Sequence, residues 1–252
     1  MAFMPSPSAA VRLRKLAFLA PVVLAPLTAT CLYAASDANA LQKDGERQLE
    51  EGRTLLDGVI LNSARSAFSQ CVQQDAKNAQ CLVDLARTEF YLVKVEEIAG
   101  QSNASRQMLD TAVSDAQRAV ALNDSSAEVH ALLADLYGAK ITGMMSGMKY
   151  GPKANTESQH ALQLDPNNAF VYAVLGRKYF YSPSAFGGDI NKAIDSFKHA
   201  SVLDPHSDED LIWLAKAYRK KGDAAHAQEA LAQALRMNPR SVFAQRVQAG
   251  KE

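Results

Sequence analysis

The chain has 252 residues, of which 27 are lysine or arginine and 27 are aspartate or glutamate, so its formal net charge is zero. This balance gives no electrostatic basis for binding nucleic acid or an anionic membrane surface. Apolar residues make up 48% of the chain and charged residues 21%, which excludes an intrinsically disordered polypeptide. The many alanines and few aromatic residues favour closely packed helices over a β-sandwich.

The N-terminal forty residues have the three-part pattern of an export signal. Basic residues from Arg12 to Lys15 precede an apolar run over residues 16–35, and Ala38 and Ala40 follow with A-x-A spacing. The pattern predicts a secretory signal peptide over residues 1–40 with cleavage after Ala40. The mature chain is then expected to be periplasmic or secreted, with no membrane span.

Two other interpretations of this segment stay open. An apolar run of this length could be retained as a transmembrane anchor, although Pro21 and Pro26 inside it favour cleavage. Cys31 could carry a lipid, but Thr28 and Thr30 before it depart from the usual lipobox.

A helix–turn–helix pattern repeats through the rest of the chain. In the clearest unit, residues 211–239, the first helix carries Ala215 and Tyr218, and a Gly-Asp turn follows at Gly222. The second helix carries Ala227, Leu231, Ala234 and Pro239. The same spacing of the second helix recurs from four upstream alanines: Ala64, Ala112, Ala154 and Ala193. Small residues such as Gly52 and Gly176 are expected to let the two helices of a unit approach closely.

These spacings resemble the tetratricopeptide repeat (TPR), a helix–turn–helix unit of about 34 residues. The resemblance implies an all-α, right-handed solenoid of about five helix pairs over residues 41–240. Residues 241–252 are expected to form a C-terminal capping helix that covers the last repeat. The resemblance also implies a non-enzymatic scaffold that binds a protein or peptide partner in a concave groove, without a cofactor. The oligomeric state does not follow from the sequence.

Three middle units carry insertions between their two helices. The first, around Gly100, is expected to lengthen both helices about a turn, and the glycines in residues 138–152 argue against a regular helix there. The third insertion contains Gly187-Gly188-Asp189, which resembles a stretch in exported TPR proteins such as the T-component of TRAP transporters. This second resemblance implies an alternative function, a small-ligand-binding accessory protein of an envelope transport system.

The residue after the small residue of each first helix points into the concave groove in TPR proteins. Here these positions hold Arg53, Arg87, Asp135, Arg177 and Lys216, and one turn later follow Phe90, Tyr91, Phe180, Tyr181 and Arg219. A lining of cations and aromatic rings suits an acidic peptide or an anionic ligand. The alternative is that the cations pair with acids such as Asp84, Glu128 and Asp135 on a solvated face.

The remaining candidate residues are sulfur and imidazole groups. Cys71 and Cys81 could form a disulfide in an oxidising compartment, or could both be small buried residues. Met144, Met145 and Met148 could bind Cu(I) through their thioethers, or could fill irregular gaps under a loop. The five histidines show no metal-ligand spacing, and no catalytic motif is present, so neither a metal site nor an enzyme is expected.

Overall fold

The computed structural model describes the backbone of residues 27–251 and the side chains from residue 37 onward. Residues 1–26 of the predicted signal lie outside this range. The described chain is helical, and its α-helices are α1 Leu27–Leu55, α2 Gly58–Gln74, α3 Ala79–Ile98, α4 Ser102–Leu122, α5 Ala127–Ala139, α6 Met144–Leu164, α7 Ala169–Tyr181, α8 Ile190–Leu203, α9 Asp208–Lys221, α10 Ala224–Met237 and α11 Val242–Gln248. A short 3₁₀ helix covers Ser184–Phe186.

The helices pack as five consecutive hairpins, α1 with α2 through α9 with α10. The second helix of each hairpin also packs against the first helix of the next, and the first helices contact one another along the array. The short α11 packs on α9 and α10 at the end. The prediction of an all-α solenoid of about five helix pairs is therefore confirmed.

Helix α1 runs without a break through Ala40, the predicted cleavage position. Ala38 is buried in the same core cluster as Cys71 and Cys81. The boundary of the signal peptide stays a prediction. Within the part of the chain that the structure describes, no helix combines the length and apolarity needed to cross a bilayer.

Three of the four turns between hairpins repeat one hydrogen-bonding scheme. An aspartate ends the preceding helix and accepts a bond from the backbone N–H two residues later, as Asp165 does from Asn167 at 3.0 Å. An asparagine or serine then caps the next helix, as Asn168 does by accepting the N–H of Val171. Asp204 and Ser207 repeat both bonds at the following turn. These side chains satisfy backbone groups that the helix ends leave without a partner, which fixes each turn.

The first insertion follows the expectation, and the second does not. Gly100, with a φ of 77°, turns the chain between the long helices α3 and α4. Asp189 caps α8 by accepting the N–H groups of Asn191 and Lys192. The expectation of an irregular second insertion is wrong for most of its length, because α6 begins at Met144 and continues through Pro152. The Ser146 hydroxyl accepts the N–H groups of Thr142 and Gly143 at this helix start.

A stacked ring pair also supports the unexpected first turns of α6. Tyr150 stacks on Tyr137 of α5, with ring centroids 6.0 Å apart. This tertiary contact outweighs the low helix propensity of Gly147 and Gly151.

Cys71 at the end of α2 and Cys81 in the first turn of α3 form a disulfide, with Cα atoms 6.2 Å apart. Both residues are fully buried. The bond ties the first hairpin covalently to the second.

We expect the double variant Cys71→Ala with Cys81→Ala to lose about 2–3 kcal/mol of stability, because the short closed loop no longer restricts the unfolded chain. Urea denaturation of protein purified from an oxidising compartment measures this loss. Reductant should lower the stability of the native chain and leave the double variant unchanged. Equal masses after thiol alkylation with and without reductant would contradict the bond.

The small residues in the facing helices do set the distance between them. A Cβ on Gly176 would lie 2.5 Å from the Phe197 ring, and one on Gly52 would lie 2.8 Å from Leu61. Gly147, by contrast, would bring its Cβ no closer than 3.7 Å to Ile141. Of these three glycines, only the first two are therefore required for packing.

We expect Gly176→Ala to destabilise the protein by about 1–3 kcal/mol, because the buried Phe197 ring has to move. The matched control Gly147→Ala should be neutral or should stabilise by up to about 1 kcal/mol, since alanine is the better helix former. Thermal unfolding followed by circular dichroism compares the two. Equal melting temperatures for both variants would contradict the packing argument.

Candidate functional site

The candidate site is the concave surface formed by the first helices of the hairpins. The array curls until its first hairpin meets its last. Arg53 at the end of α1 lies 3.2 Å from Asp208 at the start of α9. Asn238 donates to Asp208 at 2.9 Å and to the Thr54 hydroxyl at 3.3 Å. The groove is therefore closed into a ring.

A second set of contacts crosses the ring from α3 to α9. The Tyr91 hydroxyl donates to Glu209 at 2.5 Å, and Lys94 lies 3.8 Å from the same carboxylate. The indole N–H of Trp213 also donates to Glu209, at 3.3 Å. This bridge divides the concave surface into two pockets that share Arg53, Tyr91, Lys94 and Glu209.

The first pocket, called here the acidic pocket, has a volume of about 420 Å³. Its acids are Glu46, Glu50, Asp84, Glu128, Asp135, Asp204, Glu209 and Asp210, and its arginines and lysines are Arg53, Arg87, Lys94 and Arg177. Carboxylates therefore outnumber cations two to one in its lining. This balance is the reverse of the predicted basic groove.

The second pocket, called here the aromatic-basic pocket, has a volume of about 430 Å³. Its rings are Tyr91, Tyr181, Trp213 and Phe243, and its lysines and arginines are Arg53, Lys94, Lys216, Arg246 and Lys251. Lys216 places its ammonium 4.6 Å from the centre of the Trp213 ring and 5.5 Å from that of Phe243. The combination of cations and rings that the sequence predicts is gathered here.

Three of the four predicted arginines pair with carboxylates of the chain. Arg53 contacts Glu50 as well as Asp208. Arg87 contacts Asp84 and Glu128. Arg177 is buried and lies 2.9 Å from Asp135. The alternative interpretation, in which these cations pair with neighbouring acids, therefore describes their observed contacts.

The other predicted residues divide between the pockets and the core. Phe90 lines the acidic pocket, Tyr181 and Lys216 line the aromatic-basic pocket, and Tyr91 lines both. Phe180 lines neither pocket, because it is buried edge-on against Trp213. Arg219 lines neither pocket, and it donates to the Val247 carbonyl of α11 at 2.8 Å.

Several site residues were missed by the sequence analysis. Lys94, Glu209, Trp213 and Phe243 all contribute to the pockets. Lys94 lies one helical turn after Phe90, so helical periodicity could have found it. The other three become part of the site only because the ring closes.

The carboxylates of the acidic pocket differ in proton affinity. Burial raises the pKa of Asp84 to about 6, although Arg87 and Gln80 act in the opposite direction. Burial also raises the pKa of Asp210 to about 7. Burial would raise the pKa of Glu209 too, but Lys94, Arg177 and Arg53 together lower it to about 2. Glu209 is therefore ionised at neutral pH. Asp210, by contrast, gains or loses its proton close to neutral pH.

The raised pKa of Asp210 predicts that stability falls as the pH rises. Between about pH 4 and about pH 7 the folded state keeps a proton that the unfolded chain has lost, so raising the pH favours unfolding. Asp210→Asn should therefore reduce the decline in the free energy of unfolding between about pH 4.5 and about pH 8. Urea denaturation at several pH values measures this decline in the free energy of unfolding. Asp195→Asn, an exposed aspartate on α8, should leave the decline as in the native chain.

The sulfur and imidazole groups lie away from the two pockets. Met144, Met145 and Met148 are 76%, 82% and 72% exposed, so they do not fill gaps under a loop. Among the described residues, one group of side chains has donor atoms close enough to share a metal ion: Asp124, His130 and His160, within 4.8 Å of one another. Neither pocket includes any of these three.

Two family models match the sequence. The model described as regulator of microtubule dynamics protein 1-3 matches residues 48–187, and a tetratricopeptide repeat model matches residues 211–241. No curated protein matches the chain.

Solved structures with a similar fold include a TPR protein and a chain of a larger assembly. A thermophilic TPR protein of Thermus thermophilus, TTC0263, is 21% identical, with coverage of 82% of this chain and 98% of that one, and a TM-score of 0.60. A chain of the APC/C hetero-tetramer Cut9–Hcn1 is 19% identical, with coverage of 89% of this chain and 40% of that one, and a TM-score of 0.53. These likenesses show the fold, and the resemblance to TPR proteins is confirmed.

Proposed function

The chain belongs to the regulator of microtubule dynamics protein 1-3 family, and we propose that it is a non-enzymatic scaffold that binds an extended segment of a partner protein on its concave surface. The family and the TPR fold support the role of interaction scaffold. The chemistry of the bound segment is inferred from this chain's own pockets. We further propose export to the periplasm or the cell exterior, on the basis of the N-terminal signal pattern in residues 1–40.

The aromatic-basic pocket is the observation that carries this proposal. Cations outnumber acids in its lining, five to three, and four aromatic rings surround them. Rings provide apolar contact area, and neighbouring cations recognise a carboxylate. Tyr181 is 64% exposed at this pocket and can receive a partner side chain. The favoured ligand is a peptide segment that carries an acidic residue beside an apolar one.

The charge of the acidic pocket indicates on which side of the ring the partner segment binds. An acidic segment meets a lining rich in carboxylates on one side of the Tyr91–Glu209 bridge and a lining rich in cations on the other. Like charges repel and opposite charges attract, so the segment is expected to bind on the side of Lys216 and Arg246. Arg87 and Arg177, which pair within the acidic pocket, are then not the principal contacts.

An alternative function is favoured by the closure of the ring. The two pockets have volumes typical of small-molecule sites. A small-ligand-binding accessory protein of an envelope transport system would use such a volume. The meeting of α1 with α9 closes the ring around this volume.

The single tryptophan of the chain, Trp213, lines the aromatic-basic pocket and provides a built-in fluorescent reporter. We expect a library of short peptides with acidic and apolar residues to change its emission, and the matched peptides with lysine in place of the acid to have no effect. Arg246→Glu should weaken binding about tenfold or more, since it reverses one charge in the lining.

The matched control is Arg236→Glu, a residue at the end of α10 that lies outside the pocket. It should bind the peptides as the native chain does. Native mass spectrometry of the full purified chain separates the two functions. A copurifying small molecule, together with no response to any peptide, would contradict the scaffold and support the alternative.

A further inference from the structure

A buried histidine lies at the joint between the second and third hairpins. His130 is 2% exposed in the first turn of α5. Its Nδ1 lies 2.6 Å from a carboxylate oxygen of Glu157 on α6. Its Nε2 lies 2.9 Å from the backbone oxygen of Asp124 and 3.5 Å from the Asp124 carboxylate. Both ring nitrogens therefore face oxygen atoms that accept protons or bind cations.

A second imidazole completes the cluster. His160 lies on α6, close to one turn beyond Glu157, and its ring centroid is 4.2 Å from that of His130, with the planes tilted by 51°. The nearest donor atoms of Asp124, His130 and His160 all lie within 4.8 Å of one another. Two imidazoles and one carboxylate thus lie close together where the α4–α5 turn, α5 and α6 meet.

The contact with Glu157 selects the form of the His130 ring. A carboxylate accepts the Nδ1 proton, which leaves the lone pair of Nε2 as the available ligand of a neutral ring. Nε2 lies 2.9 Å from the Asp124 backbone oxygen, which is a hydrogen-bond distance, so a bound cation would take the place of a proton there. The same pattern, carboxylate to histidine to metal, orients the histidine ligands of zinc proteins.

We propose that Asp124, His130 and His160 bind a Zn²⁺ ion, with Glu157 holding His130 in position. Two imidazoles and a carboxylate are a zinc ligand set that leaves a fourth position for water. Ligand atoms around tetrahedral zinc lie about 3.3 Å apart, so small side-chain rotations are sufficient. The Asp124 side chain is 78% exposed and can make this rotation, and it provides the route of entry from solvent. Binding displaces any Nε2 proton to solvent.

The site would fasten the α4–α5 turn to α6. Asp124 lies in that turn and His160 near the far end of α6, so one ion joins segments that are distant in sequence. Metal that binds the folded state alone stabilises it. We therefore expect the melting temperature to rise with added Zn²⁺ and to reach a plateau at one ion per chain.

The test uses the untagged full chain with its disulfide, because a histidine tag would itself bind zinc. Calorimetric titration with Zn²⁺ alone should show one site per chain. Co²⁺ in the same site should give the visible absorption of tetrahedral cobalt. Either His160→Gln or Asp124→Asn should abolish both signals, and Glu157→Gln should weaken the zinc affinity by about 10–100-fold.

The control is His226→Gln. His226 pairs with Asp223 at 2.7 Å on an exposed helix end, and it resembles His130 in contacting a carboxylate. This variant should bind zinc as the native chain does. Circular dichroism verifies that His160→Gln is folded. Absence of stoichiometric binding to the native chain, or undiminished binding to folded His160→Gln, would overturn the proposal.

Discussion

The contact between the first and last hairpins determines whether the concave surface is an open groove or a closed ring. Asp208 accepts bonds from Arg53 of α1 and from Asn238, and it is 3% exposed. Thr54 and Asn238 extend the same contact. Removing one member of such a buried polar cluster is costly, whereas the intact cluster adds little net stability. Its principal effect is to fix geometry: it converts an open groove into two bounded pockets.

The Glu209 carboxylate then organises both pockets. It accepts from Tyr91 and Trp213 and attracts Lys94, and it stands on the wall that the two pockets share. Its charge neutralises cations that would otherwise bind an anionic partner in the acidic pocket. On the other side of this wall, where we propose that the partner segment binds, Lys216 lies over Trp213 and Phe243. The basic-aromatic character inferred from the sequence is real, but it belongs to one half of the ring.

The hairpins were predictable because their packing is local. Gly176 and Phe197 lie on the two helices of one hairpin, and a fixed spacing identifies such pairs. Ring closure depends on small rotations that accumulate over five hairpins, so no spacing encodes the contact of Arg53 with Asp208. Repeat spacing also cannot show why Arg219, predicted to face the groove, lies outside both pockets. This residue occupies a groove position in its repeat, but α11 follows in place of a sixth hairpin, and Arg219 bonds to the α11 carbonyl of Val247.

The joints that follow the five hairpins differ in how they are held together. The last three carry a proline in the turn, at Pro166, Pro205 and Pro239, which restricts the backbone before the next helix begins. The first two have Ala76 and Asp124 at the equivalent positions. The first of these joints is closed by the Cys71–Cys81 disulfide, and the second carries the cluster of Asp124, His130 and His160. In a solenoid each repeat contacts little beyond its neighbours, so a loose joint would weaken the whole array. A crosslink or a bound ion at each joint without proline would restore the restriction and keep α1 in place to meet α9.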